Sequence, residues 1–179
     1  MKYSALVLVL IILVSSAAAF DGQRKGFVLG GGLGFSPVLY SKTDVFDYSE
    51  TNAGVGLNLF LGYAWDEQNM LLYEGNVAGY QSNGYNNSTV VMGFDGISWY
   101  HYFDLPGQTF YSTIGLGTYN LQIEDGPDYD LGYGVMIGGG YEFSRHWQVG
   151  SYLGFGKTSY RGVKTKHIHL NILVSVVAF

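Results

Sequence analysis

Two histidines spaced two residues apart, His167 and His169, are the side chains here best placed to share a ligand. In an extended strand such a pair projects from one face, where two imidazoles could hold a metal ion if a third ligand joined them. The more ordinary use of the pattern is a pair hydrogen-bonded to water or acids at the rim of a fold, so no metal site is assigned. Glu74 and Asp95 are the acids that lie deep inside apolar stretches. Side by side they would repel, and one would hold its proton or seek a partner such as His167, His169 or a tyrosine hydroxyl. Lys157, Arg161, Lys164 and Lys166 form a basic group near the end of the chain, suited to an anion such as phosphate.

Covalent chemistry finds less support. There is no cysteine, which removes thiol catalysis, disulfides and cysteine metal sites. Serine catalysis needs a base poised on the hydroxyl, yet no His is followed two residues later by Ser and no Asp-Ser pair occurs. Gly-x-Gly recurs, as at Gly54-Val55-Gly56 and Gly115-Leu116-Gly117, but never extends to a dinucleotide fingerprint. No catalytic residue and no cofactor is expected.

The elements that position these residues follow from a period of two. Ile168, Leu170, Ile172, Val174, Val176 and Ala178 alternate with His167, His169, Asn171, Leu173, Ser175 and Val177, ahead of the terminal Phe179. Similar alternation marks eight strands: 26–35, 53–65, 70–80, 89–103, 109–120, 130–143, 148–158 and 166–179. Short connections at 66–69, 104–108 and 144–147 alternate with longer ones at about 36–52, 81–88, 121–129 and 159–165. If the 81–88 connection closes a regular hairpin with 80 opposite 89, Glu74 faces Asp95.

Parity separates inside from outside. In 53–65, Val55, Leu57, Leu59, Leu61, Tyr63 and Trp65 oppose Gly54, Gly56, Asn58, Phe60, Gly62 and Ala64. Eight strands enclose a space barely wide enough for side chains, so the large apolar set has to face outward. Water is a poor surrounding for such a face, since only 13% of residues are charged against about 25% in soluble domains. Tyr63, Trp65, Trp99, Tyr141 and Trp147 fall beside the short turns, as an aromatic girdle at a membrane interface would. A net charge of −5 argues against nucleic acid as a partner. Residues 1–19, with Lys2, an apolar run from Ala5 to Val14, and Ala17-Ala18-Ala19, read as a cleaved secretory signal ahead of a 20–179 domain.

From Gly26 to Phe179 the chain resembles the small eight-stranded outer-membrane β-barrels of the OmpA, OmpX and opacity-protein type. The resemblance implies an all-β, antiparallel, up-and-down transmembrane barrel in the outer membrane of a Gram-negative bacterium, with both termini periplasmic. It implies contact with outer-membrane lipids and lipopolysaccharide, passage through the barrel assembly machinery with Phe179 as terminal insertion signal, and possible extracellular ligands for the loops. With no sequence after Phe179, an appended peptidoglycan-binding domain is not expected. Phe179 departs from the family pattern: the cleaner apolar face has the other parity, so either a bulge shifts the register or Phe179 points away from lipid.

Two functions compete at this point. One is a non-enzymatic structural or surface-interaction barrel, with the basic group at Lys157, Arg161, Lys164 and Lys166 meeting lipopolysaccharide phosphates. The other is a narrow channel or carrier for small or apolar solutes, since lumen glycines leave room that Phe60, Tyr80, Tyr111, Tyr119, Tyr152 and Tyr160 could fill. Lipid A-modifying barrel enzymes form a distant third, because their serine motifs are missing.

Overall fold

A computed structural model describes residues 23–43, 49–82, 88–124, 126 and 129–179. The expected signal segment, 1–19, lies outside the described residues. The strands are β1 (Gly26–Thr43), β2 (Ser49–Ala64), β3 (Asn69–Ser82), β4 (Ser88–Tyr102), β5 (Thr109–Ile123), β6 (Asp130–Ser144), β7 (Trp147–Tyr160) and β8 (Val163–Ala178). Each pairs antiparallel with its neighbours in sequence, and β1 pairs with β8, so the sheet is a closed barrel without edges. From Asp95, hydrogen-bonded partners followed one way round the wall end on Val176 and followed the other way on Lys166. That ten-residue stagger tilts the strands by about 40°.

Alternation runs along the strands, broken where the register shifts in β1 and at the start of β6. Outside lie Phe27, Leu33, Leu59, Leu61, Tyr73, Ile97, Leu116, Leu131 and Ile137, all exposed. Inside lie Phe60, Phe94, Tyr100, Tyr119, Met136 and Tyr152, all buried. An exposed apolar band on a barrel with a packed interior is the surface a bilayer requires.

Several sequence expectations need correction. The 36–52 connection is mostly strand: β1 runs to Thr43 and β2 starts at Ser49. A bulge between Ser36 and Leu39 interrupts β1, at Pro37, which has no N–H to give the ladder. The bulge inverts parity, so Leu39 and Ser41 turn inward while Val38 and Lys42 turn outward. The expected 159–165 loop is a two-residue turn closed by Tyr160 opposite Val163. Arg161 and Gly162 both have positive φ, 48° and 83°, the geometry of the hairpin turn whose twist matches the flanking strands.

The β3–β4 register is also one residue from the expected one. Tyr80 lies opposite Val90, so Glu74 meets Gly96 while Asp95 meets Gly75. A one-residue slip exchanges faces. Glu74 points into the lumen, and Asp95 points outward.

Candidate functional site

The lumen is where the sequence-predicted polar residues were expected to meet, and three of the four do lie there. Glu74 is fully buried on β3 and accepts hydrogen bonds from the Tyr100 hydroxyl at 2.8 Å, Asn76 Nδ2 at 3.2 Å and Asn58 Nδ2 at 3.5 Å. These donors come from β2, β3 and β4, all at inward positions, so the carboxylate is solvated by protein in place of water. Asn76 carries the network across the lumen: its Oδ1 accepts from Asn171 Nδ2 at 2.7 Å and lies 3.4 Å from His169 Nε2. His169 Nδ1 shares a 2.7 Å hydrogen bond with the Tyr119 hydroxyl.

His167 lies nearer the end opposite the short turns. Its Nδ1 is 2.9 Å from Ser41 Oγ and its Nε2 is 2.8 Å from Thr158 Oγ1. The ring stacks on Tyr119 with centroids 5.5 Å apart and planes within 3°. All four histidine nitrogens are thus engaged by hydroxyl or amide groups, and among the described residues no group of three or more His, Asp and Glu is arranged to hold a metal. Ser41 and His167 resemble a nucleophile and base, but the far imidazole nitrogen meets a threonine hydroxyl. Among the described residues no carboxylate is hydrogen-bonded to that imidazole.

Aromatic rings occupy the space that lumen glycines leave. A Cβ at Gly156 would run into the Tyr119 ring, one at Gly150 into Tyr111 and Tyr152, and one at Gly30 into Phe60. Tyr111 and Tyr152 share a 2.7 Å hydroxyl–hydroxyl hydrogen bond, and the Tyr102 hydroxyl donates to Gln148 Oε1 at 2.7 Å. The glycines make room for rings. They do not make a pore.

The end with the short turns is closed by Arg24, a residue whose role alternation does not reveal. Arg24 precedes β1 yet is fully buried, its guanidinium 3.5 Å above the Tyr102 ring centroid. It forms an ion pair with Glu142 and donates to the Glu67 carbonyl, while its backbone N–H donates to Glu67 Oε2 at 2.8 Å. Gly107 N donates to the other Glu142 oxygen at 2.7 Å. Phe179 is at the same end and 2% exposed, with its ring 4.6 Å from that of His146. The terminal aromatic therefore points away from lipid. The faint signal for Arg24 was Glu142, an acid on inward parity near a strand end with no visible partner.

On the outer wall, Tyr63, Trp65, Trp99 and Trp147 are exposed and Tyr141 is half-buried, each within a few residues of a short turn. The basic residues do not ride on a long loop as expected. Lys157 lies directly opposite Lys166, and Lys166 lies opposite Lys42 on β1, giving three outward lysines in a row across three strands. Lys164 and Arg161 are exposed just above them, at the turn. Lys42 was not foreseen, because the bulge at Pro37 hides its parity. Asp95 stands apart on the outer face of β4, its Oδ2 accepting from Asn120 Nδ2 at 2.9 Å.

Comparison with known proteins agrees with this architecture. Neisserial surface protein A superposes with a TM-score of 0.54 at 13% identity, covering 86% of this chain and 97% of that one. Ail, the attachment invasion locus protein of Yersinia pestis, superposes with a TM-score of 0.55 at 11% identity, covering 86% and 99%. At such identities the likeness concerns the fold alone. No curated protein sequence matches. The model of the outer membrane protein beta-barrel domain family matches residues 6–175. That match spans most of the sequence, and the chain belongs to the outer membrane protein β-barrel domain family.

Proposed function

We propose that this outer-membrane barrel is a non-conducting, non-enzymatic surface protein whose external end engages lipopolysaccharide and partners outside the cell, with both termini in the periplasm. The observation that carries the reading is the filled lumen: Phe60, Tyr100, Tyr119 and Tyr152 are buried across it, and the Arg24–Glu142 pair lies over one mouth. A carrier or channel needs a continuous path of water or ligand-sized space, and here side chains bonded to one another occupy that path. Purified protein in planar bilayers is expected to give no stepwise single-channel conductance. Regular open steps at moderate voltage would overturn the reading in favour of a channel.

The row of Lys42, Lys166 and Lys157 favours lipopolysaccharide as the outer contact. Like charges directly opposite one another across a sheet repel, and a phosphate placed against them converts the repulsion into charge-assisted hydrogen bonds. The row is outward, at the end of the barrel opposite the short turns, where outer-leaflet phosphates would lie. A non-enzymatic role is supported by the Ser41–His167 contact, whose far imidazole nitrogen meets the Thr158 hydroxyl and, among the described residues, no acid.

A further inference from the structure

Every strand but two carries a large apolar residue outward at its midpoint: Phe35 on β1, Leu57 on β2, Leu116 on β5, Ile137 on β6, Leu153 on β7 and Leu170 on β8. The exceptions are neighbours. Gly75 is at the middle of β3, and Asp95 is at the middle of β4, seven residues from either end. From there toward the end opposite the short turns, the outward positions of β3–β5 mix glycine and polar groups with two valines: Val77 and Gly79 on β3, Val91 and Gly93 on β4, Thr118 and Asn120 on β5.

An ionisable group at mid-band facing hydrocarbon costs free energy and marks a site of interaction. Asp95 is half-satisfied within its own chain: Oδ2 accepts from Asn120, and Thr118 Oγ1 donates to the Asp95 carbonyl at 3.2 Å. Oδ1 lies over Gly75, where a Cβ would come within 2.9 Å of it, and receives no hydrogen bond among the described residues. Asn120 has a second N–H and a carbonyl oxygen, so the patch holds both donors and acceptors. No Lys or Arg is paired with Asp95 on this wall. Beside the patch an apolar hollow of about 440 Å³, lined by Leu57, Leu59, Leu61, Tyr73 and Val77, opens where Gly75 has no side chain.

We propose that this face, centred on Asp95, Thr118 and Asn120, is a self-association surface at which a second copy of the chain docks about a two-fold axis in the membrane. A two-fold contact brings the same patch to both sides. The Asp95 Oδ1 of each copy then accepts from the amide of the facing Asn120, so each copy supplies the donor the other lacks. Glycines at 75 and 79 let the walls approach closely, and polar groups hold them, as small residues and hydrogen bonds do between membrane helices. The hollow beside Gly75 accepts an apolar side chain from across the contact. This surface is separate from the lysine row and does not depend on the lipopolysaccharide reading.

The lack of cysteine makes the test clean. Leu116→Cys borders the patch and Leu33→Cys lies on β1 across the barrel; the two native side chains are similarly exposed, 67% and 62%. In phospholipid vesicles under mild oxidation, Leu116→Cys is expected to form disulfide-linked dimers several-fold faster than Leu33→Cys. Adding Asp95→Leu and Asn120→Leu should bring Leu116→Cys down to the Leu33→Cys rate. Those changes place apolar side chains against lipid, so the heat-shifted gel band of the folded barrel persists. Equal crosslinking at the two positions, or crosslinking at Leu116→Cys unaffected by the double leucine substitution, would overturn the proposal. The first of those outcomes is also the one expected if a hydroxyl-bearing lipid covers the patch.

Discussion

Glu74 shows how one buried acid organises the interior. Its two oxygens collect donors from the buried Tyr100, Asn76 and Asn58, which would lose this acceptor without it. Each orphaned group costs roughly 1–3 kcal/mol, so Glu74→Ala should destabilise the barrel by at least that amount. Tyr100→Phe, which deletes one donor and leaves the carboxylate two, should cost less. Urea unfolding in lipid vesicles followed by tryptophan fluorescence measures both, and a Glu74→Ala variant as stable as the wild type would contradict the network. Inward placement of Glu74, His167 and His169 was legible from alternation alone. Asp95 is the exception, because the β3–β4 register differs by one residue from that of a regular hairpin closed at 80 and 89. The strand itself held the correction: Asp95 and Trp99 share a parity, so a tryptophan assigned to the outer girdle already puts Asp95 outside.

At the level of elements, the short turns were legible and the strand ends opposite them were not. Polar residues interrupt the β1 pattern at Ser36, Ser41 and Lys42, and the bulge at Pro37 inverts what remains, so a strand reads as a loop. The β2–β3 turn carries its own signal. Asp66 Oδ1 accepts from the Gln68 and Asn69 amides at 2.8 and 2.7 Å, a side chain imitating the backbone of a turn. Desolvation pushes this carboxyl up, but those hydrogen bonds, the Asn69 side chain and the nearby His101 together hold it below the ordinary aspartate range. A depressed folded-state value stabilises above the unfolded value and is lost as pH falls through the folded one. The stability difference between wild type and Asp66→Ala should therefore be full above about pH 4 and shrink as the pH is lowered further. A difference independent of pH between neutral and pH ~3 would show that the charge of Asp66 is not involved.

For the whole molecule, charge is distributed by height and by sector. The chain is net −5, yet Lys42, Lys166 and Lys157 adjoin one another over β1, β8 and β7, with Arg161 and Lys164 above. Replacing Lys42, Lys157 and Lys166 together by Ser is expected to reduce lipopolysaccharide retained through purification. In the wild type that retention should weaken as salt is raised, because exposed charges are screened over about 10 Å at 0.1 M. Phosphate analysis of the folded, heat-shiftable protein reads the effect, and unchanged retention would remove lipopolysaccharide from the proposed function.

The seam between β1 and β8 has a consequence for how the molecule comes into being. It pairs Leu29 with Ala178 and continues to Thr43 opposite Thr165, so the contacts that finish the wall join opposite ends of the chain. Local hairpins can form as their residues become available, but the seam requires closing a loop that contains every other strand, β2 to β7. The entropy of so long a loop grows only slowly with length, while the time taken to find such distant partners is long. Until the ends meet, β1 and β8 each present a row of open backbone donors and acceptors to whatever surrounds them. Assembly is therefore a race between seam closure and aggregation, decided by whatever shelters those two edges in the interval.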